Sequence, residues 1–210
     1  MIKTFSDQDL KQLYDLIARR DKDLKAIIKD YGYPPVWIRP NSFETLVLTI
    51  LEQQVSLASA YSAYKKLKER INIAPKTLLQ LTDDDLRSCY LSRQKIVYTR
   101  ELANAIVSKR ISLEECEALP DDVVRKELKA LKGIGDWTVD IYLLHALRRI
   151  DVFPIGDLAL VNSIKMVKQL PTATKEELVQ MSEMWKPYRS IATMLFWHYY
   201  IKKKNIKILH

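Results

Sequence analysis

Hydrophobic residues return along this chain at helical spacing almost from end to end, and no stretch alternates strictly enough to mark a β-strand. The pattern predicts an all-α protein. Leu10, Leu13, Tyr14 and Ile17 form one apolar stripe, introduced by Ser6 and Asp9 as a capping pair, and Leu24, Ile27, Ile28 and Tyr31 form a second. The prolines of YGYPPVWIRP (residues 31–40) end that run, because proline has no amide to donate and restricts the residue before it. Asn41 and Ser42 cap the next helix, in which Phe43, Leu46, Val47, Ile50, Leu51, Val55 and Ala58 share a buried face and which also carries Gln53 and Gln54.

Pro75 opens a short segment, after which LTDDDLR (residues 81–87) and LPDDVVR (residues 119–125) each precede a helix, a turn and a second helix. Duplication would produce that likeness, but a shared helix-start signature, with acidic residues favouring the dipole, needs fewer assumptions. Ser92 caps a long helix carrying Ile96, Leu102 and Ile106, and Thr174 with Glu177 makes a capping box ahead of Leu178, Met181 and Met184. Trp185, Pro187 and Tyr188 form a bend before a strongly apolar last helix over residues 188–200, and the basic tail, residues 201–210, reads as a frayed, solvated terminus.

The most informative stretch is LKGIGDWTVDIYLLHALRRIDVFPIGD, residues 131–157. Gly133 and Gly135 form a tight turn between two helical segments; glycine accepts positive φ and lets a flat object approach the main chain. The amides that open the following helix, from Asp136, point outward and suit phosphate. Asp157 stands immediately before the apolar run Leu158, Leu160, Val161 and Ile164, where an aspartate serves as an N-cap or as a functional carboxylate. Asp140 and Asp151 compete for the second role. His145 and His198 lie in apolar helical runs without a partner at metal-ligand spacing and read as structural.

Composition narrows the field. The 34 Lys and Arg outnumber the 26 Asp and Glu, for a formal net charge of +8, which favours a polyanionic partner. Two cysteines, Cys89 and Cys116, are too few for a four-cysteine iron–sulfur cluster and are not spaced as a zinc site, and they fit free thiols in a reducing cytosol. No stretch approaches the ~20 apolar residues of a membrane span and the amino terminus has no apolar leader, so a soluble protein is expected, cytoplasmic and nucleoid-associated in a bacterium or archaeon or nuclear in a eukaryote. A monomer without a metal site is expected as well.

The string LKGIGDWT, followed by FP and a D-L pair about twenty residues later, resembles the helix-hairpin-helix (HhH-GPD) DNA glycosylases, and most of all their alkylated-base, 3-methyladenine glycosylase II-like branch. SFETLVLTILEQQVS (residues 42–56), LSRQKIVYTRELA (residues 91–103) and KPYRSIATMLFWH (residues 186–198) extend the likeness over most of the chain from about residue 40. The resemblance implies two helical lobes flanking an active-site cleft, which we place as residues 1–40 with 160–210 and residues 41–159 of one glycosylase unit.

It also implies roles for individual residues. Asp157 is the catalytic carboxylate. Trp137, Trp197, Ile141 and Tyr142 belong to the base pocket, with Ile141 standing where some relatives place a tyrosine. Lys132, Gly133, Ile134, Gly135 and Asp136 grip the DNA backbone, and Ser92, Arg93 and Gln94 supply the wedge that enters the duplex, Arg93 foremost, although relatives often have glycine where this chain has Tyr90. Gln53 and Gln54 are implied to contact the cleft. The strand-nicking members carry a lysine two residues after the second hairpin glycine; Trp137 occupies that place, which implies hydrolysis without strand cleavage. No organic cofactor or iron–sulfur cluster is implied, a monovalent cation at the Gly133–Gly135 hairpin is left open, and the partner is double-stranded DNA containing alkylated bases. A non-catalytic damage-binding protein of the same fold shares every backbone contact and is the competing reading.

Overall fold

A computed structural model describes residues 3–207. Among these, the chain forms thirteen α-helices, one 3₁₀ turn at Glu183–Trp185 and a single isolated β-bridge, so the all-α expectation holds. No helix among the described residues is long and apolar enough to cross a membrane. The last residues of the basic tail, 208–210, lie outside the described part.

The helices divide between two compact units: residues up to Ile38 together with Leu143–Lys207, and Arg39–Tyr142. The division differs from the sequence expectation at its second boundary, which falls inside a helix at 142/143 rather than at 159/160. Backbone pairing supplies the reason. The Phe5 amide donates to Arg148 O and the Ile150 amide to Lys3 O, both at 3.1 Å, with Thr4 and Arg149 bridged antiparallel. Ser190 adds to this, donating to Arg149 O at 2.6 Å and accepting from Val152 N at 2.8 Å. Residues 148–152, and Asp157 after them, therefore belong with the N-terminal segment.

In this first unit, α1 (Leu10–Arg20), α2 (Lys22–Tyr31) and α11 (Leu158–Val167) pack around α13 (Arg189–Lys203). Residues 190–198 of α13 are all buried, the pattern of a helix covered on every face. A buried polar knot ties α2 to the segment after α11: Lys168 Nζ lies 2.7 Å from Asp21 and 2.8 Å from Asp23, and Trp185 Nε1 donates to Asp21 Oδ2 at 2.8 Å. Burial pushes the Asp21 carboxyl up, but the Lys168 and Trp185 hydrogen bonds outweigh it and hold the group below its ordinary value. A depressed folded-state value gives stability that is present above the unfolded carboxyl range and lost as pH falls through the folded one. Asp21→Asn is accordingly expected to cost about 2 kcal/mol at neutral pH, with the gap to wild type closing as pH falls below 4; urea melts across that range measure it.

In the second unit, α3 (Phe43–Glu52) is the buried centre, packed on α4 (Leu57–Arg70) and α7 (Arg93–Val107), with α5 (Pro75–Gln80) and α6 (Asp83–Ser88) also against α7. The single helix expected through Ala58 is two helices. The chain leaves α3 at Glu52, Gln54 adopts φ +56, and Ser56 caps α4 by accepting from Ser59 N, so Val55 and Ala58 are exposed and Gln53 and Gln54 stand in the turn. The caps predicted at Ser42, Ser92, Asp157 and Thr174 all form. Short helices α8 (Leu113–Cys116) and α9 (Asp121–Lys129) lead to α10 (Asp136–His145), and α12 (Lys175–Ser182) precedes the 3₁₀ turn.

Candidate functional site

The hairpin between α9 and α10 is built from two buried hydrophobic feet, Leu131 and Ile134, which are 3% and 5% exposed. Ile134 N donates to Leu131 O at 3.2 Å, closing the turn. Gly133 has φ +89, and a Cβ there would lie 2.0 Å from the Tyr98 ring, so both backbone shape and space demand glycine. Gly135 is exposed with open space at its Cβ direction. Gln53 clips the hairpin from α3's end, its Nε2 donating at 2.9 Å both to Gly133 O and to Thr138 Oγ1. The five residues predicted to grip a backbone therefore split. Lys132, Gly135 and Asp136 face solvent, with Asp136 paired to Lys129 at 2.5 Å, whereas Gly133 and Ile134 shape the turn from within.

Helix α10 begins where the hairpin ends, its first intrahelical bond running from Val139 N to Gly135 O, so the first-turn amides lie outside its ladder. The carbonyls of Leu131, Gly133 and Gly135 accept from Ile134, Gln53 and Val139 respectively. A cation seat here would thus draw on carbonyls already hydrogen-bonded, and no step of the chemistry below depends on one.

Trp137 is half-buried on α10. Two of the residues assigned to a base pocket occupy different positions. Tyr142 is fully buried and its hydroxyl donates to Asn41 Oδ1 at 2.6 Å, and Ile141 is 5% exposed, so both are interior residues. The cause is that α10 is covered on every side from Thr138 onward, which leaves positions 141 and 142 no open face. Ser92, Arg93 and Gln94 are exposed at the start of α7, with Ser92 Oγ accepting from Lys95 N.

In the first unit Asp157 takes the N-cap role and holds a second partner as well. Its Oδ1 accepts from Leu160 N at 2.8 Å, the N-cap bond of α11, and from Trp197 Nε1 at 2.9 Å. Trp197 is 8% exposed and lies flat against His145, with ring centroids 5.4 Å apart and planes 12° from parallel. His145 Nδ1 is in turn hydrogen-bonded to Trp37 O. A backbone carbonyl thus sets an imidazole, the imidazole backs an indole, and the indole fixes one oxygen of a carboxylate. His198 is structural as expected: Nε2 meets Tyr31 O at 3.1 Å, and burial pushes the imidazole below its ordinary value.

The competing carboxylates are committed to cations. Asp151 takes Arg189 on both oxygens, at 2.8 and 2.9 Å. Asp140 is buried against Arg125; desolvation raises its carboxyl above the ordinary value despite that partner. Sequence reasoning missed the bracing roles of Gln53, Tyr98 and His145. Of these, only Gln53 carried a signal, through the EQQVS block.

The HhH-GPD family, described as HhH-GPD superfamily base excision DNA repair protein, matches residues 47–187. The chain belongs to this superfamily. It is 32% identical over 206 residues to a DNA-3-methyladenine glycosylase of Bacillus subtilis, covering 91% of this chain and 67% of that protein. A second Bacillus subtilis relative is 31% identical over 184 residues, 83% of this chain and 64% of its own length, so the chain spans about two thirds of these relatives. Among solved structures, Schizosaccharomyces pombe 3-methyladenine DNA glycosylase in complex with abasic DNA is similar with a TM-score of 0.81 and 27% identity, covering 89% of this chain and 95% of that one.

Proposed function

We propose that this chain is a DNA glycosylase of base excision repair that hydrolyses the N-glycosidic bond of alkylated purines, 3-methyladenine and 7-methylguanine with hypoxanthine as a further candidate, and leaves the abasic strand intact. The observation that carries the reading is Asp157, fixed at the start of α11 by the Leu160 amide and the Trp197 indole. The similarity to proteins named DNA-3-methyladenine glycosylase supports it.

A base stacked in duplex DNA hides its glycosidic bond, so the nucleotide must be rotated out before chemistry. Cleavage then builds positive charge on the sugar, as in glycoside hydrolysis. The Asp157 carboxylate stabilises that charge and orients or deprotonates the attacking water; its Oδ1 is held by two donors, so the group is set before the reaction begins. A purine alkylated at N3 or N7 already carries positive charge and leaves without a general acid, an advantage that neutral hypoxanthine lacks. Trp137 gives such a cationic ring an electron-rich face. The position that would hold an amine nucleophile is this indole, which supports hydrolysis rather than strand cleavage.

The backbone grip draws on Lys132, Gly135 and the first-turn amides of α10, and Arg93 with its neighbours Ser92 and Gln94 fills the gap in the duplex. Incubation with methylated duplex DNA tests the reading directly. Free methylated purine should appear well above the spontaneous rate, and borohydride should trap no covalent adduct. Release at the spontaneous rate despite tight binding would leave a damage-binding protein, and a trapped adduct would make the enzyme a strand-nicking one.

A further inference from the structure

The proline-rich loop over residues 31–40 ends α2, and its main chain does more than that. Gly32 takes φ +76 as α2 closes, and Pro34, which is buried, and Pro35 fix the backbone that follows. Two carbonyls of this segment reach histidines. Tyr31 O meets His198 Nε2 at 3.1 Å, and Trp37 O is hydrogen-bonded to His145 Nδ1. The Trp37 ring also lies against His198, with centroids 6.4 Å apart. The two imidazoles bracket Trp197: His198 follows it on α13, and His145 is stacked on its ring, 12° from parallel.

A carbonyl oxygen can only accept, so Nδ1 of His145 carries the proton and the ring is pinned in one orientation. Bulk alone does not account for a histidine here. A buried imidazole needs a polar partner, and the fold brings one from a residue 108 positions away in the chain. The pin matters because of what the ring touches. An indole turns on two torsions, and Trp197, 8% exposed with an imidazole flat against one face, is set in plane. Rotation of that plane would carry Nε1 off Asp157 Oδ1, 2.9 Å away. The Leu160 amide bonds the same oxygen from α11, and two donors from different directions fix an orientation where one fixes only a point.

We propose that His145 is a positioning residue for base release: pinned by Trp37 O, its flat ring sets the plane of Trp197 and thereby the direction of the Asp157 carboxylate. The inference rests on the reading that Asp157 is the group that stabilises the sugar cation. It gives the 31–40 loop a part in that chemistry, exerted through a main-chain carbonyl.

The test reads position and rate separately. The chain has four tryptophans, and Trp197→Phe identifies which indole N–H resonance belongs to Trp197; a hydrogen bond to a carboxylate holds that proton downfield. His145→Leu keeps an apolar side chain but no flat ring. It should move the Trp197 signal upfield and slow single-turnover base release about tenfold, with DNA affinity unchanged. The loss is smaller than that from removing the Asp157 charge, because the charge stays. His145→Phe restores a flat ring and should bring signal and rate back near wild type, while melting lower because Trp37 O loses its donor. His145→Met, also without a flat ring, repeats the first measurement if His145→Leu does not fold. A role in core filling alone predicts that His145→Leu serves as well as His145→Phe. Wild-type release by His145→Leu, slowed release with an unmoved indole signal, or His145→Phe as slow as His145→Leu would each overturn the proposal. If wild type itself frees no methylated purine, the glycosylase reading falls and the indole signal alone decides: moved by His145→Leu and kept by His145→Phe, it sustains the positioning, and unmoved by His145→Leu, it removes it.

Discussion

Asp157→Asn is expected to slow base release about 10²- to 10³-fold while leaving DNA affinity and melting temperature close to wild type. Asparagine retains an Oδ1 that can accept from Leu160 N and Trp197 Nε1, so the α11 cap and the indole contact survive; what disappears is the negative charge. Asp157→Ala should show a different profile. It removes the cap, at about 1 kcal/mol, and leaves the Trp197 N–H without its acceptor, at about 1–3 kcal/mol more. Single-turnover release from methylated duplex, run beside thermal melts, distinguishes the two. Release by Asp157→Asn at the wild-type rate would remove the carboxylate from the chemistry.

Gly133→Ala has the second largest expected effect, and Gly135→Ala is its control. At Gly133 the new methyl group would meet the Tyr98 ring at 2.0 Å from a backbone with φ +89, so either the ring or the hairpin must move. Loss of at least about 2 kcal/mol of stability is expected, since overpacking and a disallowed backbone add. Affinity for duplex DNA should fall with it. At Gly135 the methyl group enters open space, so stability should change little and only binding should respond. Gln53→Ala, which removes both 2.9 Å hydrogen bonds but no backbone constraint, should fall between the two. Melts and electrophoretic titrations of the three variants give the order; equal effects at both glycines would contradict this account of the hairpin.

The helical frame could be read from periodicity and caps because both are local: Ser42, Ser92, Asp157 and Thr174 each cap the helix that their sequence context announces. The break at Gln53 and Gln54 escaped because neither residue is a recognised helix breaker, and apolar spacing runs on through Val55 and Ala58. The direction of Tyr142 escaped for a related reason. An aromatic on an apolar helix reads the same whether it lines a surface or enters a core, and only its partner Asn41, 101 residues distant in sequence, decides. Asp157 posed a choice between cap and functional group that local chemistry could not make, since one carboxylate oxygen can accept from the helix amide and from an indole forty residues away.

Tyr98, packed under Gly133, and Arg93 stand on the same helix α7, five residues apart. At 1.5 Å per residue the two are separated by about 7.5 Å along a stiff axis, close to two nucleotide steps of a DNA strand. The hairpin braced by Tyr98 and the start of α7 therefore keep a constant offset, like the jaws of a caliper locked at one setting.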